Sequence, residues 1–202
     1  MKNIPNILTV IRILIVPFIL LFALTSFCSI NYYIVFALFV IGAITDFLDG
    51  YLARKYNVVS NIGKFLDPIA DKVLLLSGLI VIVYVQFSFN KVFDSPLLYL
   101  TLISIFIIIA RDYIVDVIRQ IASTKGKVIP ADIYGKLKTF VQDFAVPMLL
   151  FYFALIINGN CEVAGFVKVF GLISYALFAI GVILTILSGV NYFVKNKDIL
   201  LK

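Results

Sequence analysis

Apolar residues run through this chain in long blocks, and the polar residues between them are short and clustered. A bilayer-spanning helix needs about 20 mostly apolar residues. Six stretches qualify: Ile7 to Phe27, Tyr32 to Leu48, Pro68 to Phe87, Pro96 to Ile118, Leu137 to Ile157 and Val167 to Tyr192. No segment shows the strict alternation of a membrane barrel. The pattern therefore predicts an all-α polytopic membrane protein with six transmembrane helices, forming a single membrane-embedded domain over residues 1–202. No small-residue cleavage site follows the first apolar stretch, so that stretch is expected to stay as a helix. Between the fourth and fifth stretches, Arg119 to Lys138 is expected to be a loop broken by Gly126 and Pro130. Tyr192 to Lys202 is expected to be a short polar tail with fraying helix.

The charges give this plan a direction. Lys2, the stretch Arg54 to Lys64, the stretch Arg119 to Lys138 and the tail Lys195 to Lys202 would share one side, whereas the other receives little beyond Lys91, Asp94, Glu162 and Lys168. The positive-inside rule then places both termini and both basic connections in the cytoplasm. Composition agrees with a lipid solvent, because 63% of the 202 residues are hydrophobic and only 14% charged, too apolar for one soluble core. The net charge of +6 suits anionic headgroups and phosphorylated substrates. The basic residues flank apolar segments without the aromatic interleaving of a nucleic-acid groove, so no nucleic-acid partner is expected.

Histidine is absent, which removes histidine acid–base chemistry, a Ser-His-Asp triad and histidine metal ligation. A metal site would have to use oxygen ligands, favouring a hard cation such as magnesium or manganese. Cys28 and Cys161 are far apart and lack ligand spacing, and they read as apolar wall residues.

The chemistry concentrates in Asp46-Phe-Leu-Asp49-Gly50-Tyr-Leu-Ala53-Arg54, followed after eight residues by Gly63-Lys-Phe-Leu-Asp67-Pro-Ile-Ala-Asp71. On helices, Asp46 and Asp49 share one face, and Asp67 and Asp71 share a face of the next helix. A short link between antiparallel helices would turn these faces toward each other. A central aspartate costs roughly 2.5–3.5 kcal/mol to insert, so four unpaired would cost on the order of 10 kcal/mol. Arg54 alone cannot offset this, whereas divalent cations can. Two other readings of the residues stand beside it. The aspartates could pair with Arg54, Lys55, Lys64 and Lys72 at a wet interface, or they could line the pathway of a cation-coupled transporter.

The pattern Asp-x2-Asp-Gly-x2-Ala-Arg-x8-Gly-x3-Asp-x3-Asp resembles the signature of the CDP-alcohol phosphotransferases, with every specified position present. The resemblance implies that family's six-helix fold, a homodimer, and two divalent ions, Mg2+ or Mn2+. It implies that Asp46 and Asp67 bridge the ions, that Asp49 holds one, and that Asp71 holds metal and takes the proton of the acceptor hydroxyl. CMP would depart by in-line displacement. Gly50, Ala53 and Gly63 would give the cytidine nucleotide clearance, or equally allow close helix packing. Arg54 would contact the nucleotide phosphate rather than only snorkel. Ser60 reads as a nucleotide contact or a plain loop serine. In the opening Pro5-Asn6-Ile-Leu-Thr9-Val-Ile-Arg12, Asn6 and Thr9 read as nucleotide contacts, or as a helix cap and a backbone-bonded hydroxyl.

A second cluster concerns the acceptor. In Arg111-Asp112-Tyr-Ile-Val-Asp116-Val-Ile-Arg119, helical spacing predicts a salt-bridged face of Asp112, Asp116 and Arg119. That leaves Arg111, Lys136 and Lys138 without sequence-local acids, and a phosphate would satisfy them. With the Pro-Asn-Ile-Leu-Thr opening and Gly135-Lys136-Leu-Lys138-Thr139, these residues resemble the phosphatidylglycerophosphate synthase branch, departing from it at Asp112, where glutamate is usual. The branch implies CDP-diacylglycerol and sn-glycerol 3-phosphate as substrates, with Arg111, Arg119, Lys136 and Lys138 binding the acceptor phosphate in a bacterial cell (inner) membrane. A phosphatidylinositol phosphate synthase type, whose acceptor is also anionic, is the nearer alternative. Beyond about Leu149 little carries specific chemistry, and Gly171, Ala179 and Gly181 are expected to serve helix packing or dimerisation.

Overall fold

The computed structural model describes residues 4–25, 31–56, 61–89, 95–126, 129, 132–158 and 165–201. At positions 4, 5, 50–56, 61, 62, 64, 65, 95 and 197–201 it describes the backbone alone. Six helices follow in order: α1 (Ile4–Leu24), α2 (Asn31–Tyr56), α3 (Asn61–Ser88), α4 (Ser95–Thr124), α5 (Ile133–Asn158) and α6 (Gly165–Leu201). There is no strand among the described residues. All six helices are long and apolar enough to cross a bilayer, and their outer faces carry large exposed side chains such as Phe47, Phe106, Phe166 and Leu172. In water such surface would be untenable; in lipid it is the expected exterior. The protein is a multi-pass membrane protein.

The chain groups into two compact units, Met1–Ser88 with Val146–Gly171, and Phe89–Ala145 with Leu172–Lys202. In the first, α1 packs against α2 and α3 through a buried stripe of Thr9, Arg12, Val16, Ile19 and Ala23, at alternating spacings of three and four. Small residues let the backbones approach. A Cβ on Gly42 would lie 2.8 Å from Leu74, and one on Gly78 would lie 2.6 Å from Phe39 and 2.7 Å from Val146. The buried hydroxyls of Thr45 and Ser77 donate to the carbonyls of Gly42 and Leu74, each at 2.6 Å, so they are satisfied without water. Gly171 packs its bare face on the Tyr152 ring, as expected of a packing glycine.

In the second unit, α4 buries Thr101, Ile108, Val115, Ile118 and Ala122, and α6 buries Ser174, Phe178, Val182, Thr185, Ser188 and Tyr192. Val115, Ile118 and Tyr192 form one apolar cluster, with Ile129 against it. Gly181 lets Gln142 approach, at 3.3 Å from where its Cβ would be. Gln142 donates to the Thr185 hydroxyl at 3.2 Å.

One expected boundary is corrected, and three helices continue past their apolar spans. The stretch Arg119 to Lys138 is not one loop: α4 runs to Thr124 and α5 begins at Ile133. The buried positions of α4 continue through Ala122 at helical spacing, so polarity alone does not end it. Gly126 does, at φ 70, after its N–H bonds the Ser123 carbonyl at 3.0 Å. The tail from Tyr192 is likewise the last part of α6, which continues to Leu201. The aspartate helices also run beyond their apolar cores, α2 to Tyr56 and α3 back to Asn61. Hydropathy reports the length immersed in hydrocarbon, not the length of helix.

Candidate active site

Arg12 is fully buried in the third turn of α1, yet its guanidinium is always charged. It is tolerable there because α2 and α3 bring carboxylates to it. Its Nη2 donates to Asp49 Oδ2 at 2.5 Å, and its Nη1 meets Asp71 Oδ1 at 2.5 Å and Asp46 Oδ1 at 2.9 Å. The planar fork suits this convergence in a way a lysine ammonium would not. Asp49 is buried with Arg12, whereas Asp46 and Asp71 are about half exposed, with side-chain accessibilities of 50% and 52%.

The fourth aspartate is held from the same helix. Thr9 lies one turn before Arg12, about 4.5 Å along the axis, and its hydroxyl donates to Asp67 Oδ1 at 2.7 Å. All four signature aspartates therefore find a partner on one face of α1. Neither reading of Thr9 from the sequence included this bond. Arg12 itself was absent from the candidate residues. Its signal was available, since it is the lone charge within an apolar span and shares the spacing of Asn6 and Thr9.

The donor set fits a hard divalent ion: four carboxylates, no sulfur and no imidazole. Among the described residues no group of three acidic or cysteine side chains is placed to hold an ion; Asp46, Asp49 and Asp71 instead contact Arg12. Gly63 is buried at the start of α3 and Asn6 is half-buried on α1. Gly50, Ala53 and Arg54 lie on the last turns of α2, and Ser60 lies outside the described residues.

The second unit holds a separate ionic group. Asp112 Oδ1 accepts from Arg111 Nη1 at 3.0 Å and from Lys138 Nζ at 2.5 Å, and the Lys138 side chain is only 4% exposed. Asp112 thus meets Arg111 and Lys138 rather than reaching along its own helix to Arg119. Arg119 instead donates from Nε to the Tyr192 hydroxyl at 3.2 Å, with its guanidinium over that ring at 5.6 Å. The short acid at position 112 is long enough, since Lys138 comes to it from α5. Arg111 Nη2 also donates to Ser188 on α6, while its buried Nε has no hydrogen-bond partner among the described residues. A Cβ on Gly189 would stand 3.0 Å from Arg111 Cγ, so the glycine makes room for that side chain. Arg111 and Lys138 are thus brought together; Lys136, exposed near the start of α5, stands outside this group.

Asp132 precedes α5 and its carbonyl accepts from the Lys136 N–H at 3.2 Å. Its carboxylate accepts from Asn191 at 2.6 Å and Lys195 at 3.0 Å, tying the start of α5 to α6. The bond from Lys195 holds the Asp132 carboxyl below the usual carboxylate range, so it stays ionised.

The family profile described as CDP-alcohol phosphatidyltransferase matches residues 2–187. Three similar proteins carry the name CDP-diacylglycerol--glycerol-3-phosphate 3-phosphatidyltransferase. The one from Rickettsia typhi is 35% identical over 98% of this chain and 98% of its own length. Its counterpart in Bacillus subtilis is 33% identical over 99% and 98%, and that in Haemophilus influenzae is 34% identical over 98% and 96%. Because the profile takes in both the aspartate helices and most of α6, the chain belongs to the CDP-alcohol phosphatidyltransferase family.

Proposed function

We propose that this protein transfers the phosphatidyl group of CDP-diacylglycerol to sn-glycerol 3-phosphate, giving phosphatidylglycerophosphate and CMP. The observation that carries this reading is the gathering of all four signature aspartates against one face of α1. Relatives named for this reaction align along nearly the whole chain. The family generally uses divalent metal ions. Here Asp46, Asp49, Asp67 and Asp71 would hold them, as Mg2+ or Mn2+ and in a pair. Such ions, when bound, neutralise pyrophosphate charge and favour an ionising hydroxyl.

The chain's own groups do the rest. Asp71, half exposed, accepts the proton of the glycerol 3-phosphate hydroxyl as its oxygen bonds to the lipid phosphorus. The bond from that phosphorus to CMP breaks in line, and no enzyme nucleophile intervenes. Arg54 meets the nucleotide phosphate, while Gly50, Ala53 and Gly63 leave room for the cytidine, with Asn6 and Ser60 beside it. Arg111, Arg119, Lys136 and Lys138 receive the acceptor phosphate. The buried Nε of Arg111 supports this, since it is a donor without an acceptor among the described residues. The positive-inside distribution supports an active site and both termini on the cytoplasmic side of the bacterial cell (inner) membrane. The working unit is one domain per chain in a homodimer.

The test is CMP release by purified protein with CDP-diacylglycerol and Mg2+, comparing glycerol 3-phosphate, inositol phosphate and serine as acceptors. Release specific to glycerol 3-phosphate and abolished by chelator is expected. Release with inositol phosphate alone would move the chain to another branch, and ion movement across sealed vesicles without CMP release would restore the transporter. Lys136→Ala is expected to raise the KM for glycerol 3-phosphate several-fold and leave that for the CDP-lipid nearly unchanged. Equal rises in both would mark general damage instead of lost phosphate contact.

A further inference from the structure

The proposed mechanism makes no use of Arg12, although among the described residues it is the largest fully buried side chain and touches three of the four signature aspartates. We propose that Arg12 is a resident counter-cation: it keeps Asp46, Asp49 and Asp71 together before divalent ions bind, and gives up carboxylates to those ions when they arrive. The inference rests on the reading that these aspartates hold metal.

Three observations lead to it. First, Asp46 on α2 and Asp71 on α3 both approach the same nitrogen, Nη1, at 2.9 and 2.5 Å. Two carboxylates drawn so close would repel each other and part their helices without a positive charge between them. Second, a magnesium-type ion takes carboxylate oxygens at about 2.0–2.1 Å. An ion collecting the oxygens that Arg12 now holds would overlap its guanidinium, so the two cations compete for one place. Third, among the described residues the guanidinium is held through Nη1 and Nη2, and its buried Nε makes no hydrogen bond. The fork can therefore withdraw without breaking a bond at that end. Thr9 completes the arrangement one turn earlier by holding Asp67 with a neutral hydroxyl, which adds no competing charge.

A purely structural arginine would be needed equally with and without metal, and that difference is measurable. The full-length protein in detergent would be followed by thermal unfolding, in chelator and in saturating Mn2+, and by loss of the free Mn2+ resonance signal on binding. Wild type, Arg12→Met and Arg12→Lys would be compared. Arg12→Met is expected to unfold several degrees below wild type in chelator. It should gain more from Mn2+ than wild type does and bind Mn2+ at least as tightly, because the competing charge is gone. Arg12→Lys, which keeps the charge without the fork, should fall between. Recovery of folded Arg12→Met only when Mn2+ is present during purification would support the proposal in the same way. An Mn2+-induced rise equal to that of wild type would overturn it, and so would weaker Mn2+ binding by the folded variant. If Arg12→Met does not fold under either condition, the Arg12→Lys comparison decides by the same two criteria. Wild type that binds no Mn2+ would instead remove the metal reading of the aspartates themselves.

Discussion

Asp71→Asn is expected to lower CMP release by about 10²- to 10⁴-fold, the usual contribution of a positioned general base. The substitution keeps shape and hydrogen-bonding capacity but removes the oxygen able to take a proton. The fold should survive it. Asp71 is half exposed, and Arg12 retains Asp46 and the buried Asp49. Asp49→Asn is the informative contrast, because there the lost charge is buried beside a buried guanidinium and the unfolding midpoint should fall as well. For Asp71→Asn, turnover should drop far more than Mn2+ affinity, which separates a lost base from a lost ligand. Full activity in this variant, with the protein shown to be folded, would take the proton-accepting role away from Asp71.

How much of this was legible in the sequence depends on the range of the interaction. The six spans follow from composition over windows of about 20 residues, and the aspartate pairs follow from spacing within one or two turns. Both kinds of regularity are local, and both are present in the structure. The partners were not legible, because they lie far along the chain. Thr9 and Asp67 are 58 residues apart, and Arg12 and Asp71 are 59. Helical-spacing rules link residues three or four apart, so they strung Asp112, Asp116 and Arg119 along one face. They missed the bond between Asp112 and Lys138, 26 residues away and on another helix. The last quarter of the chain was underread for the same reason. Ser188, Gly189, Asn191, Tyr192 and Lys195 on α6 look unremarkable in sequence, yet they support Arg111, Arg119 and Asp132. A clue existed in the spacing of Ser188, Tyr192 and Lys195, which puts three polar tips along one face of an apolar helix.

Asp112→Ala should destabilise the protein by about 3–5 kcal/mol, the cost of breaking a buried ion pair from one side. Asp112 is the carboxylate on which Arg111 and Lys138 meet, and the Lys138 side chain is almost wholly enclosed. Removing the acid leaves two neighbouring cations that repel each other, one of them cut off from water. Lys138→Met removes the buried charge as well as the bond, so it should be milder. The double variant should be more stable than Asp112→Ala alone, a non-additivity of at least about 1 kcal/mol of the kind contacting residues show. Unfolding midpoints of the four proteins in detergent provide the cycle. Glycerol 3-phosphate adds a second reading of the same pair. If Arg111 and Lys138 receive its phosphate, the ligand supplies the missing negative charge, and it should raise the midpoint of Asp112→Ala more than that of wild type. Additive effects would mean that the 2.5 Å contact between Lys138 and Asp112 contributes nothing to stability. A glycerol 3-phosphate response the same in both proteins would place the acceptor phosphate away from this pair.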